Sequence, residues 1–373
     1  MSQQVKAAVL REVGGPVAVE EIELAPPGPE EIVVEIEAAG VCHTDVHYQR
    51  GDLVSRLPVV LGHEGAGRVI GKGARVSGGI EIGDRVALLW RPNCGRCVPC
   101  ITGHPVMCER GPVQAQSGGL PDGTSRMSVD GGTLHHLMGA SSFSERVVVH
   151  SRSVVKVPDD VPADIAAIAG CAVVTGLGAV RNVVGGCAGE SLVVFGAGGV
   201  GLSAIMGARL AGANPIIAVD VDENKLALAR ELGATVTIDG RDDVAERIRD
   251  ATGGGSQWAI EAVGLPQTLQ TAVAAARPGG TVVAIGLGRV GQTFEVPVNE
   301  LVQKQKRLIG SLYGSSIPQV DLPIIFDLYR EGRLPLERLL GDSYPLENLD
   351  EAFAALQNGA LGRSIVRPGG SGR

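Results

Sequence analysis

Seven cysteines punctuate the 373 residues, and four of them crowd into one run, Cys94-x2-Cys97-x2-Cys100-x7-Cys108. Four thiolates at such spacing suit a closed tetrahedral zinc site that ties down a loop and does no chemistry. A bacterial iron–sulfur pattern shares the first three positions but not the fourth, and no proline follows Cys108. Disulfides fit poorly with a reducing compartment. A second constellation is dispersed: Cys42, His63 beside Glu64, and Cys171. One Cys, one His and one Cys can make a three-ligand zinc site with a fourth position left for water or substrate. Spacing alone leaves this open, because a lone cysteine is as often a small buried apolar residue. The third feature is Gly196-Ala197-Gly198-Gly199-Val200-Gly201, a G-x-G-x-x-G followed 19 residues later by Asp220. Glycines there permit a tight turn and close approach to a pyrophosphate, and the acidic residue accepts from a ribose diol. A carboxylate repels a 2′-phosphate, so NAD is expected over NADP.

Elements must place these groups. The first 90 residues read as β-rich: Val17 to Glu20 and Glu31 to Glu37 alternate apolar and charged side chains, and Val69-Ile70 and Asp84 to Leu89 continue the pattern. Gly111 to Gly132 reads as an exposed glycine-rich loop, and Glu145 to Val149 as a strand. From about residue 173 strands and helices alternate. Helices are expected over Val173–Val184, Leu202–Ala211, Asn224–Leu232 and Thr268–Ala276. Strands are expected at Ser191–Phe195, Ile216–Asp220, Thr235–Ile238, Trp258–Glu261 and Thr281–Gly286. That rhythm means a parallel sheet covered on both faces. The glycine loop follows the first of these strands and opens a helix. The tail from Val320 reads as helical, with Leu349 to Gln357 amphipathic.

Composition narrows the class. Hydrophobic residues make up 44% of the chain, which excludes disorder. The net charge of −8 argues against phosphate-neutralising nucleic-acid binding. No run of about 18 uninterrupted apolar residues speaks for a membrane span, and Met1 to Lys6 lacks a signal-peptide core. A cytoplasmic location is the default. Two packed domains are expected, with a cleft between them.

The chain resembles the zinc-dependent medium-chain alcohol dehydrogenases over essentially its whole length. Gly62-His63-Glu64-x2-Gly67-x5-Gly73-x2-Val76, the four-cysteine lobe, Gly170-Cys171 and the glycine loop occur in that family's order. Asp122 to Arg126 and His135 to Ser144 are similar to its long, liver-type and glutathione-dependent forms. The resemblance implies an α/β protein: a GroES-like β-rich catalytic domain over residues 1–172 and 317–373, and a doubly wound Rossmann domain over 173–316 that binds NAD.

It further implies that Cys42, His63 and Cys171 ligate a catalytic zinc, with Glu64 behind the metal. Cys94, Cys97, Cys100 and Cys108 would hold a structural zinc, giving two zincs per subunit. Asp45 matches the carboxylate that orients His63. Thr44 and His47 match a proton relay running through the nicotinamide ribose to solvent. His43 occupies the pyrophosphate-facing position, and Thr175, Val200, Lys225 and Leu287 are further cofactor positions. Leu53, Trp90, Leu137, Met138 and Leu312, with Leu287, fall where the family lines its substrate pocket. Their apolar character favours a hydrophobic primary alcohol, aliphatic or aromatic, oxidised reversibly with NAD by a homodimer or homotetramer. The strand from Thr281 to Leu287 is the family's candidate for pairing across subunits.

Departures from the pattern are Ala172 after the third ligand, His43 where a permanent cation would bind phosphate more firmly, and Val366 where a C-terminal arginine is expected, with Arg367 one residue later. Three alternatives accompany this reading. One is a formaldehyde dehydrogenase acting on a thiol adduct. Another is an enzyme with tightly held NAD recycled by an external acceptor, suggested by the Leu89-Trp90-Arg91 neighbourhood. The third is a non-catalytic nucleotide-binding or crystallin-like structural protein. Cys187 has no assigned role.

Overall fold

The computed structural model describes residues 2–76, 78–111 and 117–369. The chain divides into two compact units, Met1–Cys171 with Ile317–Arg373, and Ala172–Ser316.

In the first unit, Gln3–Leu10, Val17–Leu24, Met127–Val129, Gly132–His136 and Val59–Val60 close into a small barrel. Alternating apolar residues of these strands, among them Val5, Val9, Ile22, Met127 and Leu134, fill its interior. A second sheet is built around Glu31–Gly40, which pairs with Glu64–Lys72, Arg146–His150 and Arg363–Arg367. Its register matters for chemistry. Gly40 lies opposite both Glu64 and Ile365. The end of one strand, leading into Cys42, therefore meets the start of another, at Glu64 just after His63, and the strand that carries Arg363.

In the second unit six parallel strands lie in the order Val236–Asp239, Ile216–Asp220, Leu192–Phe195, Ser256–Glu261, Ala276–Ala284, Arg307–Gly310. Numbered by position in the chain this is 3-2-1-4-5-6, the doubly wound order, and its reversal falls beside Leu192–Phe195, the strand that enters the glycine loop.

Several expectations change. The stretch from 111 to 132 is not simply an exposed loop: Met127–Val129 is a strand, and Leu120 and Met127 are buried. Residues 112–116 of that expected loop lie outside the described residues. The tail carries the strands Leu340–Pro345 and Arg363–Arg367 besides the helices Pro318–Arg330 and Leu349–Gln357. The strand containing Thr281 is interior, and the sheet edge is Arg307–Gly310. An expected helix beginning at Val173 begins instead at Ala163 and runs to Val184. It is apolar enough to cross a membrane by composition, yet 89% of its most hydrophobic window is buried within the protein. Apolar side chains on every face suit a core helix as well as a spanning one.

Candidate metal and cofactor sites

Cys42 ends the chain's exit from Glu31–Gly40 and precedes the helix His43–Arg50 in extended conformation. Asp45, in that helix's first turn, is fully buried and gathers three donors. Its Oδ2 accepts from Cys42 N at 3.3 Å. Its Oδ1 accepts from Gly62 N at 3.2 Å and faces His63 Nδ1 at 3.0 Å. Gly62 turns the chain at φ +94°, where a Cβ would lie 2.5 Å from Phe143 N. Asp45 thus ties together both segments that carry ligand candidates. A carboxylate at Nδ1 fixes the proton there and leaves the Nε2 lone pair free.

That Nε2 is buried and has no hydrogen-bond partner among the described residues. Its neighbours are the sulfurs of Cys42 and Cys171 and the carboxylate of Glu64, all ligand atoms lying within 4.8 Å of one another. Cys171 sits in a π-helical segment, Ala169–Val173, of the long helix. Such bulges turn a side chain off the regular helical stripe and recur at functional sites. An orphaned imidazole nitrogen facing two thiols is an arrangement that a thiophilic, imidazole-binding cation satisfies. His63 and Glu64 are 1% and 0% exposed, not a surface pair.

A residue without any motif completes the site. Arg363, 6% exposed, forms an ion pair with Glu64 Oε1 at 3.2 Å and donates to the carbonyl of Val41 at 3.1 Å. Burial pushes the Glu64 carboxyl up to about 8 against the pull of Arg363. The Cys42 thiol is held far below its ordinary value by the hydrogen bond from Cys171 and, against burial, by the charge of Arg363. Burial opposes charging of His63, but the charge and hydrogen bond of Asp45 and the neighbouring Cys42 hold the imidazole well above its usual range, so a cation taken up at Nε2 releases a proton there. No sequence signal marked Arg363, since it reaches Glu64 only because its strand pairs with the end of Glu31–Gly40.

Thr44 and His47 lie on one face of the helix His43–Arg50, three residues apart. Thr44 is half-buried and His43 exposed. His47 Nδ1 lies 3.0 Å from Asp52 Oδ2, a partner the sequence did not reveal. Trp90, Leu137 and Met138 share the apolar core of the first unit, and Leu53 is half-buried. Leu312 and Leu287 belong to the second unit, Leu312 half-buried and Leu287 48% exposed. Val366 is buried, and Arg367 is paired with Asp164 at 2.7 Å. Cys187 is buried, with its thiol pushed up by burial.

The four-cysteine lobe closes on itself. Sulfur–sulfur separations are 3.4 Å for Cys97–Cys100, 3.8 Å for Cys97–Cys108 and 4.0 Å for Cys94–Cys100. A tetrahedral ion with metal–sulfur bonds of about 2.3 Å spans sulfurs about 3.8 Å apart, so these edges fit one ion and are too short for a cluster. Backbone N–H groups, first that of Arg96, hold the Cys94 thiol down at about 6, while burial and then the Cys97 thiol push Cys100 up to about 12.

In the second unit Gly196 turns at φ +90°, and Gly198 precedes the helix Gly199–Leu210. A Cβ at Gly201 would collide with the carbonyl oxygen of Gly196, whereas at Gly198 it would meet nothing within 4 Å. The first glycine closes the turn, the third packs helix on strand, and the middle one leaves an open shelf at the helix N-terminus, where an anion is favoured. Asp220 Oδ2 accepts from Ala197 N at 2.7 Å and Oδ1 from Asp222 N at 3.0 Å. The carboxylate is therefore docked against the glycine loop. Val200 and Lys225 are half-buried beside these elements, and Thr175 is buried on the helix Val174–Gly178.

Fold and site together define a two-unit zinc dehydrogenase architecture, and comparison with known proteins agrees. Residues 28–159 match the alcohol dehydrogenase GroES-like domain and residues 199–328 the zinc-binding dehydrogenase domain. The chain belongs to the zinc-dependent medium-chain alcohol dehydrogenase family. It is 37% identical to a geraniol dehydrogenase of Castellaniella defragrans, over 97% of each chain. It is also 37% identical to an NDMA-dependent alcohol dehydrogenase of Amycolatopsis methanolica, over 97% of this chain and 98% of the relative. A crystal structure of benzyl alcohol dehydrogenase from Acinetobacter calcoaceticus superposes with a TM-score of 0.91 at 31% identity, covering 98% of this chain and 99% of the other.

Proposed function

We propose that this dehydrogenase oxidises hydrophobic primary alcohols, aliphatic or aromatic, to aldehydes reversibly with NAD, using one catalytic and one structural zinc per subunit. The observation that carries the reading is the buried Nε2 of His63, without a hydrogen-bond partner among the described residues, facing the sulfurs of Cys42 and Cys171. Cys42, His63 and Cys171 are the ligands of the catalytic zinc, and Cys94, Cys97, Cys100 and Cys108 those of the structural one. When bound, the catalytic zinc supplies Lewis acidity that makes an alcohol hydroxyl acidic enough to lose its proton near neutrality.

The chain's own residues do the rest. Asp45 holds His63 in the tautomer that presents Nε2. Arg363 compensates the buried charge of Glu64 and the thiolates. Thr44 accepts a hydrogen bond from the substrate hydroxyl and, as it takes up that proton, gives its own hydroxyl proton onward through the relay to His47, one turn on, which releases a proton to solvent. Gly196, Gly198, Gly199 and Gly201 cradle the pyrophosphate, Asp220 takes the adenosine ribose and His43, Thr175, Lys225 and Leu287 complete the cofactor contacts. Residues 1–172 with 317–373 form the catalytic domain and 173–316 the NAD domain.

Support for an apolar substrate comes from Trp90, Leu137 and Met138, and from relatives whose names specify geraniol and benzyl alcohol, both hydrophobic primary alcohols. The proposal includes a cytoplasmic homodimer or homotetramer. Growth of NADH absorbance with benzyl alcohol, and its absence with polyols, is the expected assay result; polyol oxidation with inert benzyl alcohol overturns the substrate assignment.

A second reading is favoured by the NDMA-dependent relative: NAD held through turnover and recycled by an external acceptor. Cofactor released by denaturation, but retained on gel filtration, selects that reading.

A further inference from the structure

The helix His43–Arg50 ends in a device that the relay assignment does not use. Gly51 caps it in the left-handed region at φ +80°, with its N–H bonded to the carbonyl of Tyr48 at 3.3 Å. A Cβ at Gly51 would lie 2.5 Å from Val13 Cγ1. The reversal continues with Leu53 N donating to the carbonyl of His47 at 3.2 Å. The left-handed residue that closes the last turn favours glycine. Its consequence is chemical. The chain folds back over its last turn, and Asp52 Oδ2 arrives 3.0 Å from His47 Nδ1. Asp52 is 15% exposed and His47 31% exposed, so the pair sits at the rim, the carboxylate inside and the imidazole reaching toward water.

The same helix therefore organises two carboxylate–imidazole pairs through the same nitrogen. Asp45 meets Nδ1 of His63 and Asp52 meets Nδ1 of His47, both at 3.0 Å. In each pair the carboxylate holds the proton on Nδ1 and presents Nε2 as the lone pair. For His63 that lone pair faces the metal ligands. For His47 it is the nitrogen that takes up a proton.

We propose that Asp52 is a positioning residue for His47, fixing its Nδ1–H tautomer so that Nε2 is the proton acceptor of the relay. The inference rests on the assignment of His47 to that relay. In the step, Nε2 gains the proton relayed from the alcohol hydroxyl by way of Thr44, the imidazolium is stabilised by the Asp52 carboxylate, and Nε2 then gives a proton to water. Asp52 stays ionised, holding Nδ1–H throughout, as the orienting carboxylate does in a Ser-His-Asp triad.

The test combines 15N NMR of histidine-labelled enzyme, at a pH where the imidazoles are neutral, with steady-state rates on zinc-loaded protein. His47 is assigned by comparison with His47→Ala. Wild type is expected to show the Nδ1–H tautomer at His47, and Asp52→Ala a mixture of tautomers. Asp52→Ala should lower kcat about tenfold, less than the roughly 100- to 10,000-fold that the acid–base group itself contributes, with NADH affinity and zinc content unchanged. The double variant with His47→Ala should be no slower than His47→Ala alone, because a positioning residue acts only through its partner. Asp52→Asn, of the same shape without the charge, gives the same direction of change and serves if the alanine variant does not fold. Retention of the Nδ1–H tautomer in Asp52→Ala, or multiplicative rate losses in the double variant, overturns the proposal. A wild-type rate in His47→Ala instead removes the relay itself, and with it any catalytic meaning of the pair.

Discussion

Replacing Asp45 with asparagine probes the catalytic site without touching a ligand. Asp45 offers two oxygens to three donors: Oδ1 to His63 Nδ1 and Gly62 N, Oδ2 to Cys42 N. Asparagine keeps one oxygen. Pointing it at His63 and Gly62 preserves the two shorter contacts and turns the amide NH2 against the N–H of Cys42, so that orientation is the cheaper one. The loss is then one buried backbone acceptor, about 1 kcal/mol, together with the charge assistance of the bond to His63, about another 1 kcal/mol. A total of about 2 kcal/mol corresponds to roughly 30-fold weaker zinc binding, inside the 10–100-fold span typical of groups that orient a metal ligand. Titration with a chromophoric chelator reads this directly, and the four-cysteine lobe is an internal control in the same chain. Asp45→Asn should surrender one zinc about 30-fold more readily while the other is held as in wild type. Equal retention of both ions by variant and wild type refutes the reasoning, as does simultaneous loss of both.

Three further outcomes follow from other parts of the molecule. His136 is buried, and burial, aided by Arg126, pushes its imidazole down to about 3. A folded-state value below the usual 6.5 means that stability is fully present above about pH 6.5 and is lost as pH falls toward 3, by up to about 1.4 kcal/mol per unit. Thermal unfolding of His136→Leu should therefore depend less on pH between 7 and 5 than wild type, and an unchanged dependence contradicts this. His43→Arg should slow NADH release in stopped-flow measurements, by several-fold, since a permanent cation replaces one that titrates; equal rates count against His43 as a phosphate neighbour. Cys97→Ser should cost one zinc and expose the lobe to protease while leaving the other zinc in place, read by metal analysis and limited digestion.

The alternating strands and helices of the second unit were legible because parallel strands buried on both faces are short apolar runs, as at Leu192–Phe195 and Ile216–Asp220. The edge strand Arg307–Gly310 escaped notice because all four residues are exposed and no apolar run marks them. The helix Val244–Thr252 was overlooked because its polar face dominates, with only Val244 and Ile248 buried. In the first unit the local strand pattern was readable, but the barrel depends on pairing between distant segments, as at Glu23 with Ser128. The strand Arg363–Arg367 depends on pairing with Glu31–Gly40 near the other end of the chain, and Leu340–Pro345 then pairs with it. The ligand candidates stood out by type and motif. Arg363 and Asp52 did not, since each acquires its partner only through the register of a sheet or the reversal at Gly51. The bulge at Ala169–Val173 that aims Cys171 is equally invisible in a run of apolar residues.

The central claim is that Cys42, His63 and Cys171 hold a zinc on which alcohol oxidation depends. Metal analysis of wild type beside Cys171→Ser, with NADH formation from benzyl alcohol measured on the same samples, tests it most directly. Two zincs per chain in wild type, one in the variant, and loss of alcohol oxidation with the four-cysteine zinc retained are the predicted results. A single zinc in wild type, or a Cys171→Ser protein that keeps two zincs and full activity, contradicts the account.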